Sequence, residues 1–387
     1  MSVIYYDTHT LSLNHHGEEL CGDQVKILRT PDKLLLVLSD GLGSGVKANI
    51  LARLTAEILV TMFREQVPLK DVLETVVATL PTCKVRNIAY AAFVVVEVEL
   101  PGGRFRVVNF DCPSPFLLRA GQRVPLPERG EDVLGRQLRF SEGTLGSGDF
   151  LGVISDGVMY AGMGVLMNFG WGREQIGDYL EQITRHRPAS AEAVVRRLMD
   201  KTRGLYCGAP GDDATLAGIL VRKPNRLMVF TGPPADRTRD EECVNRLLDF
   251  DGRKVVCGGT TGNIVAEHLG EIVKIDFGTL REDVPPIGML MDLDLMTEGV
   301  LTLAKTLRLL KDSGGDRHRV PMDRNGASLL ARELLRADEI FVLAGEQVNP
   351  CYHNPLLPRN ISIRHNLVEQ LVEVLTACHK NVSIEWC

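Results

Sequence analysis

The sequence predicts an α+β protein, an α-β-β-α sandwich over residues 1–223 followed by a smaller α/β layer domain over residues 224–387. Three observations lead there. From Gln24 to about Leu220, β-branched apolar runs dominate and helical stretches interrupt them twice. After Arg222-Lys223-Pro224-Asn225, where charge meets a strand-breaking proline, apolar runs alternate with longer helical periodicity. The chain of 387 residues also exceeds what one hydrophobic core usually serves.

In the first domain the candidate strands are residues 24–29, 33–39, 88–98, 104–110, 116–119, 149–155 and 215–221, spaced as antiparallel hairpins. Helices fit residues 46–65, 69–80, 173–185 and 189–203, where apolar residues recur every three or four positions. Two helix pairs of this kind cover a sheet sandwich. In the second domain, residues 227–231, 254–257, 271–276, 339–344 and 382–386 read as strands, and residues 296–310 and 367–379 as helices, with a further apolar helix from Ile264.

Composition narrows the class. Hydrophobic content of 44% and charged content of 24% describe an ordinary globular chain. The net charge of -6 argues against non-specific nucleic-acid binding, which needs Lys and Arg to neutralise phosphates. Residues 1–10 lack a basic stretch followed by an apolar one, and no apolar run reaches the ~18 residues of a membrane span, so a cytoplasmic protein is expected. Nine cysteines without a CxxC pair suit reduced, mostly buried thiols.

The chemistry is carried by aspartates. Residues 33–39 run into Asp40-Gly41, and residues 150–155 run into Asp156-Gly157, so two long apolar strands end in Ser-Asp-Gly. Asp212-Asp213 precedes a strand, and Gly22-Asp23 enters another. In an antiparallel sheet the end of one strand lies beside the start of its neighbour, which allows all four sites to converge on one rim. Clustered carboxylates repel one another unless a cation neutralises them. Oxygen ligands without paired His or Cys suit two divalent cations, Mn²⁺ or Mg²⁺, rather than zinc. Two such ions about 3.5–4 Å apart would make a shared water nucleophilic towards phosphorus. The glycine after each Asp is expected to permit a sharp turn and the approach of a carbonyl or substrate. The alternative is that Ser-Asp-Gly is only a turn signature.

The ordered set Gly22-Asp23, Asp40-Gly41-Leu42-Gly43-Ser44-Gly45, Ser155-Asp156-Gly157 and Asp212-Asp213-Ala214-Thr215 resembles the metal-dependent protein phosphatases over residues 12–222. The likeness is to the bacterial branch typified by the stage II sporulation phosphatase SpoIIE. Local matches at Gly17 to Asp23, Pro113 to Arg119 and Gly146 to Gly157 support it. The resemblance implies that Asp40 bridges both ions, that the Gly41 carbonyl ligates the first, and that Asp156 and Asp212 ligate the second. It also implies that Asp23 holds metal-bound water, while Asp213 either ligates or caps. The implied catalytic residues are Asp40, Asp156 and Asp212, and the implied substrate is phosphoserine or phosphothreonine in a regulatory protein of the anti-anti-sigma type. The rival reading is a non-catalytic module on the same fold that binds a phosphoprotein or an anion. Two departures stand out: Asn109-Phe110-Asp111-Cys112 replaces an Asn-Ala-Gly-His-like stretch, and no arginine matches the phosphate-gripping one of the eukaryotic branch.

Other candidates are weaker. His15 and His16 precede Asp23 and read as exposed histidines sooner than as a general acid. Lys47 reads equally as a solvated helix lysine or a phosphate attractor, and the glycine-rich residues 161–172 as a plain connection or a flap. In the second domain, residues 254–257 lead into Gly258-Gly259-Thr260-Thr261-Gly262-Asn263, a turn before a helix that suits an anion pocket or simply a capped turn. Cys257, Cys351 and His353 lack the rhythm of metal ligands. Sensing, partner docking and homodimer formation are all compatible with this half.

Overall fold

Strand burial on both faces explains the layers of the N-terminal part. The computed structural model describes residues 4–79, 82–83, 88–89, 91–100, 102–133, 136–347 and 363–387. The chain divides into two units, Met1–Lys223 and Pro224–Cys387. The first runs β1 (Tyr5–Leu13), β2 (Asp23–Arg29), β3 (Lys33–Gly41), α1 (Gly45–Arg64), α2 (Leu69–Thr79), β4 (Thr82–Cys83), β5 (Ile88–Ala89), β6 (Ala91–Glu99) and β7 (Arg104–Phe110). It continues through β8 (Phe116–Arg119), β9 (Gln122–Val124), β10 (Arg129–Val133), β11 (Arg136–Thr144), β12 (Phe150–Ile154), α3 (Asp156–Met159), α4 (Arg173–Thr184), α5 (Ala191–Leu205) and β13 (Ala214–Arg222).

Two sheets stack, one ordered β1-β13-β12-β8-β9 and the other β10-β11-β7-β6-β3-β2. Along β3 the side chains alternate: Leu34, Leu36 and Leu38 meet Val94, Val96, Leu151 and Ile219 between the sheets. Leu35 and Val37 turn instead to Ala56, Leu59 and Phe63 of α1 and Val72 of α2. On the far side, Ile176 and Leu180 of α4 and Val194 and Leu198 of α5 close over Phe150, Ile154 and Leu216. Helix α5 is fixed at its start by Ser190, whose hydroxyl accepts from Ala193 N, and by Asp7, which accepts from Ala191 N at 2.9 Å.

Five strands here, β1, β4, β9, β10 and β11, go beyond the sequence reading. β1 pairs with β13 from Tyr5↔Arg222 to Leu13↔Ala214 although His9, Thr10 and Ser12 dilute its apolar character. β9, β10 and β11 are mostly polar and are held by neighbours, as in Arg139↔Asn109.

The second unit runs β14 (Arg226–Thr231), α6 (Asp240–Leu248), β15 (Arg253–Cys257), α7 (Gly259–Leu269), β16 (Lys274–Asp276), β17 (Ile287–Met289), β18 (Leu295–Thr297), α8 (Val300–Ser313), α9 (Gly326–Arg336), β19 (Glu339–Ala344), α10 (Ile363–Ala377) and β20 (Asn381–Trp386). Its sheet is ordered β16-β17-β18-β15-β14-β19-β20. The five strands from β18 to β20 are mutually parallel, and β16 and β17 add an antiparallel edge. Helices α6 and α7 pack on one face, and α8, α9 and α10 on the other. The expected helix over residues 296–310 is corrected: its first residues belong to β18, and Glu298-Gly299 separates them from α8. A short apolar run does not distinguish a buried strand from a helix by period alone. Cys257 lies in the sheet core, while Cys351, His353 and the proline-rich stretch from Asn349 to Pro358 lie outside the described residues. Cys21, Cys112, Cys207, Cys243, Cys257, Cys378 and Cys387 are free, and Cys207 is exposed. Among the described residues no helix is long and apolar enough to cross a membrane.

Candidate metal centre

The aspartates come from the same end of both sheets of the first unit. Asp23 opens β2 and faces Asp40 of β3 across the ladder. Asp156 starts α3 directly after β12, and Asp212 and Asp213 immediately precede β13. A hydrogen-bond chain joins the two sheets: Ser155 Oγ donates to Asp23 Oδ2 at 2.7 Å and accepts from Thr215 N at 2.8 Å. Asp213 Oδ1 accepts from His15 N at 3.0 Å.

The electrostatics are those of carboxylates crowded together. Burial, reinforced by Asp23, Asp156, Asp212 and Asp213, pushes Asp40 up to about 9. Burial also raises Asp23 to about 7 against the hydrogen bonds from Ser155 and Thr215. Asp212 rises to about 6 through burial and then Asp156. Burial raises Asp156 too, while a hydrogen bond with Asp40 pulls the other way. Asp23 and Asp213 are only 2% and 3% exposed, yet Asp23 Oδ1 and Asp213 Oδ2 have no hydrogen-bond partner. Buried carboxylate oxygens without donors suit a hard cation. Among the described residues, however, no three His, Cys, Asp or Glu side chains stand as a ready-made ligand cage. Asp40 and Asp156 are close enough to influence each other's protonation.

All six residues singled out from sequence, Asp23, Asp40, Gly41, Asp156, Asp212 and Asp213, fall in this one region. Of the two purposes expected of these glycines, the structure shows the close approach of a carbonyl. A β-carbon on Gly41 would stand 2.2 Å from the Ala48 carbonyl oxygen of α1, and one on Gly157 2.1 Å from that of Asp213. Close backbone approach, rather than a left-handed conformation, demands glycine there. His15 is not the exposed histidine the sequence suggested: it is half-buried and its Nδ1 is buried without a partner. His16 and Lys47 are exposed. Asn109 ties its own turn, accepting from Cys112 N and donating to Pro113 O. Ser155, Thr215 and Tyr206, whose hydroxyl donates to Gly157 O at 2.6 Å, support the site and were not assigned roles from sequence. Ser155 and Thr215 lay inside the quoted motifs, whereas nothing in the sequence marked Tyr206.

Residues 30–222 match the family model described as Stage II sporulation protein E (SpoIIE). That match makes the N-terminal unit a SpoIIE-like member of the metal-dependent protein phosphatases. Among solved structures, the chain is similar to the phosphatase domain of the cell fate determinant SpoIIE from Bacillus subtilis, at 17% identity and TM-score 0.43, over 58% of this chain and 95% of that one. It is also similar to the RsbU and RsbW domains of a Mycobacterium tuberculosis protein, at 19% identity and TM-score 0.47, over 64% and 68%. RsbX in complex with magnesium is 17% identical, with TM-score 0.41, over 56% and 99%. No curated protein matched the sequence.

Proposed function

We propose that the N-terminal unit is a Mn²⁺- or Mg²⁺-dependent phosphatase acting on phosphoserine or phosphothreonine in a regulatory protein. The observation that carries this reading is the set of five aspartates drawn from both sheets to one rim, with buried, unpartnered oxygens on Asp23 and Asp213. Asp40, Asp156 and Asp212, with the Gly41 carbonyl, would hold two cations, and Asp23 and Asp213 would complete the shell. When bound, the cations supply Lewis acidity and make water nucleophilic near neutral pH. The chain's own part is orientation. Ser155 fixes one oxygen of Asp23 and leaves the other directed by exclusion, while the His15 amide does the same for Asp213. Half-buried His15 would be the candidate donor of a proton to the leaving alkoxide.

A protein-sized substrate is favoured by apolar surface that starts next to the aspartates. Val46, Ile50 and Leu54 form an exposed stripe along α1, and Met163, Val165, Leu166 and Phe169 are exposed on the loop that follows α3. This loop corresponds to the glycine-rich residues 161–172. The substrate class suggested by the family resemblance, a partner of the anti-anti-sigma type, fits such a surface.

The test is turnover of p-nitrophenyl phosphate and of a phosphoserine protein with and without added Mn²⁺. Turnover should require metal and fall to background in Asp40→Asn and Asp156→Asn, both of which should remain folded. Tight phospholigand binding with no phosphate released under any metal would favour the non-catalytic alternative instead.

A further inference from the structure

At the carboxyl edge of the second unit's sheet, independent features point to a ligand. The chain steps outward from β14 through β15 to β18 and then returns to the other side of β14 as β19. The order therefore reverses between β14 and β19, with α6 on one face and α10 on the other. Open parallel sheets hold ligands at such a reversal, outside the carboxyl ends of the strands.

Arg364 occupies this place. It lies in the first turn of α10, half-buried, and its Nη1 donates to Gly345 O and Gln347 O at 3.3 Å each. Among the described residues no carboxylate pairs with it. It sits against Gly232, just past β14, where a β-carbon would come within 2.1 Å of Nη1. Burial pushes its pKa down, and the start of a helix is the wrong end for a cation. A charge held this way costs stability unless an anion shares it.

The neighbouring strand supplies donors. Helix α7 follows Gly258, whose φ of 132° only glycine adopts readily, and no side chain caps it. The N–H groups of Gly259, Thr260 and Thr261 have no acceptor among the described residues. Thr261 is fully buried, and its Oγ1 is unpartnered, 3.1 Å from where a β-carbon on Gly258 would stand. The hydroxyl is thus aimed into the turn that bares the three amides. The register Thr231↔Cys257 brings Gly232 and Gly258 to adjacent strand ends, about 5 Å apart. By contrast, Pro233 and Pro234 leave the loop after β14 without amide donors. One strand further on, Glu298 follows β18; one carboxylate oxygen accepts from Gly299 N, and the other lies 3.5 Å from the β-carbon position of Gly259. An ionised carboxylate accepts hydrogen bonds from hydroxyls.

We propose that this edge binds a nucleoside phosphate, its phosphate between Arg364 and the start of α7 and its ribose hydroxyls on Glu298. The proposal is independent of the phosphatase reading, and the experiment keeps the two apart. ADP and inorganic phosphate are titrated separately into the full chain by calorimetry, with excess chelator so that the acidic centre holds no cation. ADP binds more tightly than phosphate. Arg364→Met weakens ADP by about tenfold or more, Thr261→Val weakens it by a smaller factor, and Glu298→Gln weakens ADP but not phosphate. Without nucleotide, Arg364→Met melts no lower than the parent, because the substitution removes an uncompensated charge. Should Arg364 only brace Gly345 and Gln347, that variant would melt lower and Thr261→Val would bind normally, which overturns the proposal. It also fails if millimolar ADP gives no binding, or if ADP binds no more tightly than phosphate.

Discussion

Asp40 shows how one residue ties the stability of the centre to pH. Its carboxyl is pushed up to about 9, that of Asp23 to about 7 and that of Asp212 to about 6. An unfolded aspartate titrates near 3.9, so between about pH 4 and 9 the folded state holds more protons than the unfolded one. The stability these groups contribute is fully present below about pH 4 and is lost as pH rises through the folded values. In chelator, the melting temperature of the protein should therefore fall from pH 5 to pH 8.5. Mn²⁺ should restore it, and by more at pH 8.5 than at pH 5, because it replaces protons that the alkaline state has lost. Asp40→Asn should flatten the chelator profile and remove most of the Mn²⁺ effect. A metal-free melting temperature that climbs across this range would contradict the crowding of these carboxylates.

At the scale of elements, the centre is held by backbone contacts that no side chain can replace. Helix α1 approaches the end of β3 so closely that a methyl group on Gly41 would overlap Ala48 O, and Gly157 is equally tight against Asp213 O. Gly41→Ala and Gly157→Ala should each cost about 3 kcal/mol or more by denaturant unfolding, because rigid backbone must move. Gly43→Ala is the control: φ is 89° but nothing lies within 4 Å, so only about 1–2 kcal/mol of conformational strain is expected. A comparable loss at all three positions would show that close approach is not the constraint. The same elements mark how far the sequence could be read. β12 and the central residues 34–38 of β3 are apolar because layers cover both faces, and such runs announce themselves. β10 and β11 carry charge along their length and exist because β7 offers β11 a partner and β11 offers one to β10, which no local pattern records. The pairing of Asp23 with Asp40 followed from strand ends in an antiparallel ladder, whereas the arrival of Asp156 beside them depends on how the two sheets stack. The role of Ser155 in linking the sheets depends on the same stacking.

Among the described residues, each of the two units has its own hydrophobic cores. The clusters of the first unit draw only on residues from Tyr6 to Val221, and those of the second only on residues from Leu227 to Cys387. Each unit is large enough to bury its own apolar surface, and three residues, Lys223, Pro224 and Asn225, join β13 to β14. Residues 1–223 and 224–387 produced separately should each melt in one cooperative transition, and residues 1–223 should keep metal-dependent turnover of p-nitrophenyl phosphate. If the second unit senses a nucleotide on behalf of the first, ADP must change turnover in the full chain and leave residues 1–223 unaffected. Coupling between sites is typically about 1–3 kcal/mol, so a change of about fivefold or more is the effect to seek. Because binding linkage is reciprocal, Mn²⁺ at the acidic centre should then shift the affinity of the full chain for ADP in the matching direction. ADP that binds the full chain while turnover and metal affinity stay constant would leave the two units as independent functions on one polypeptide.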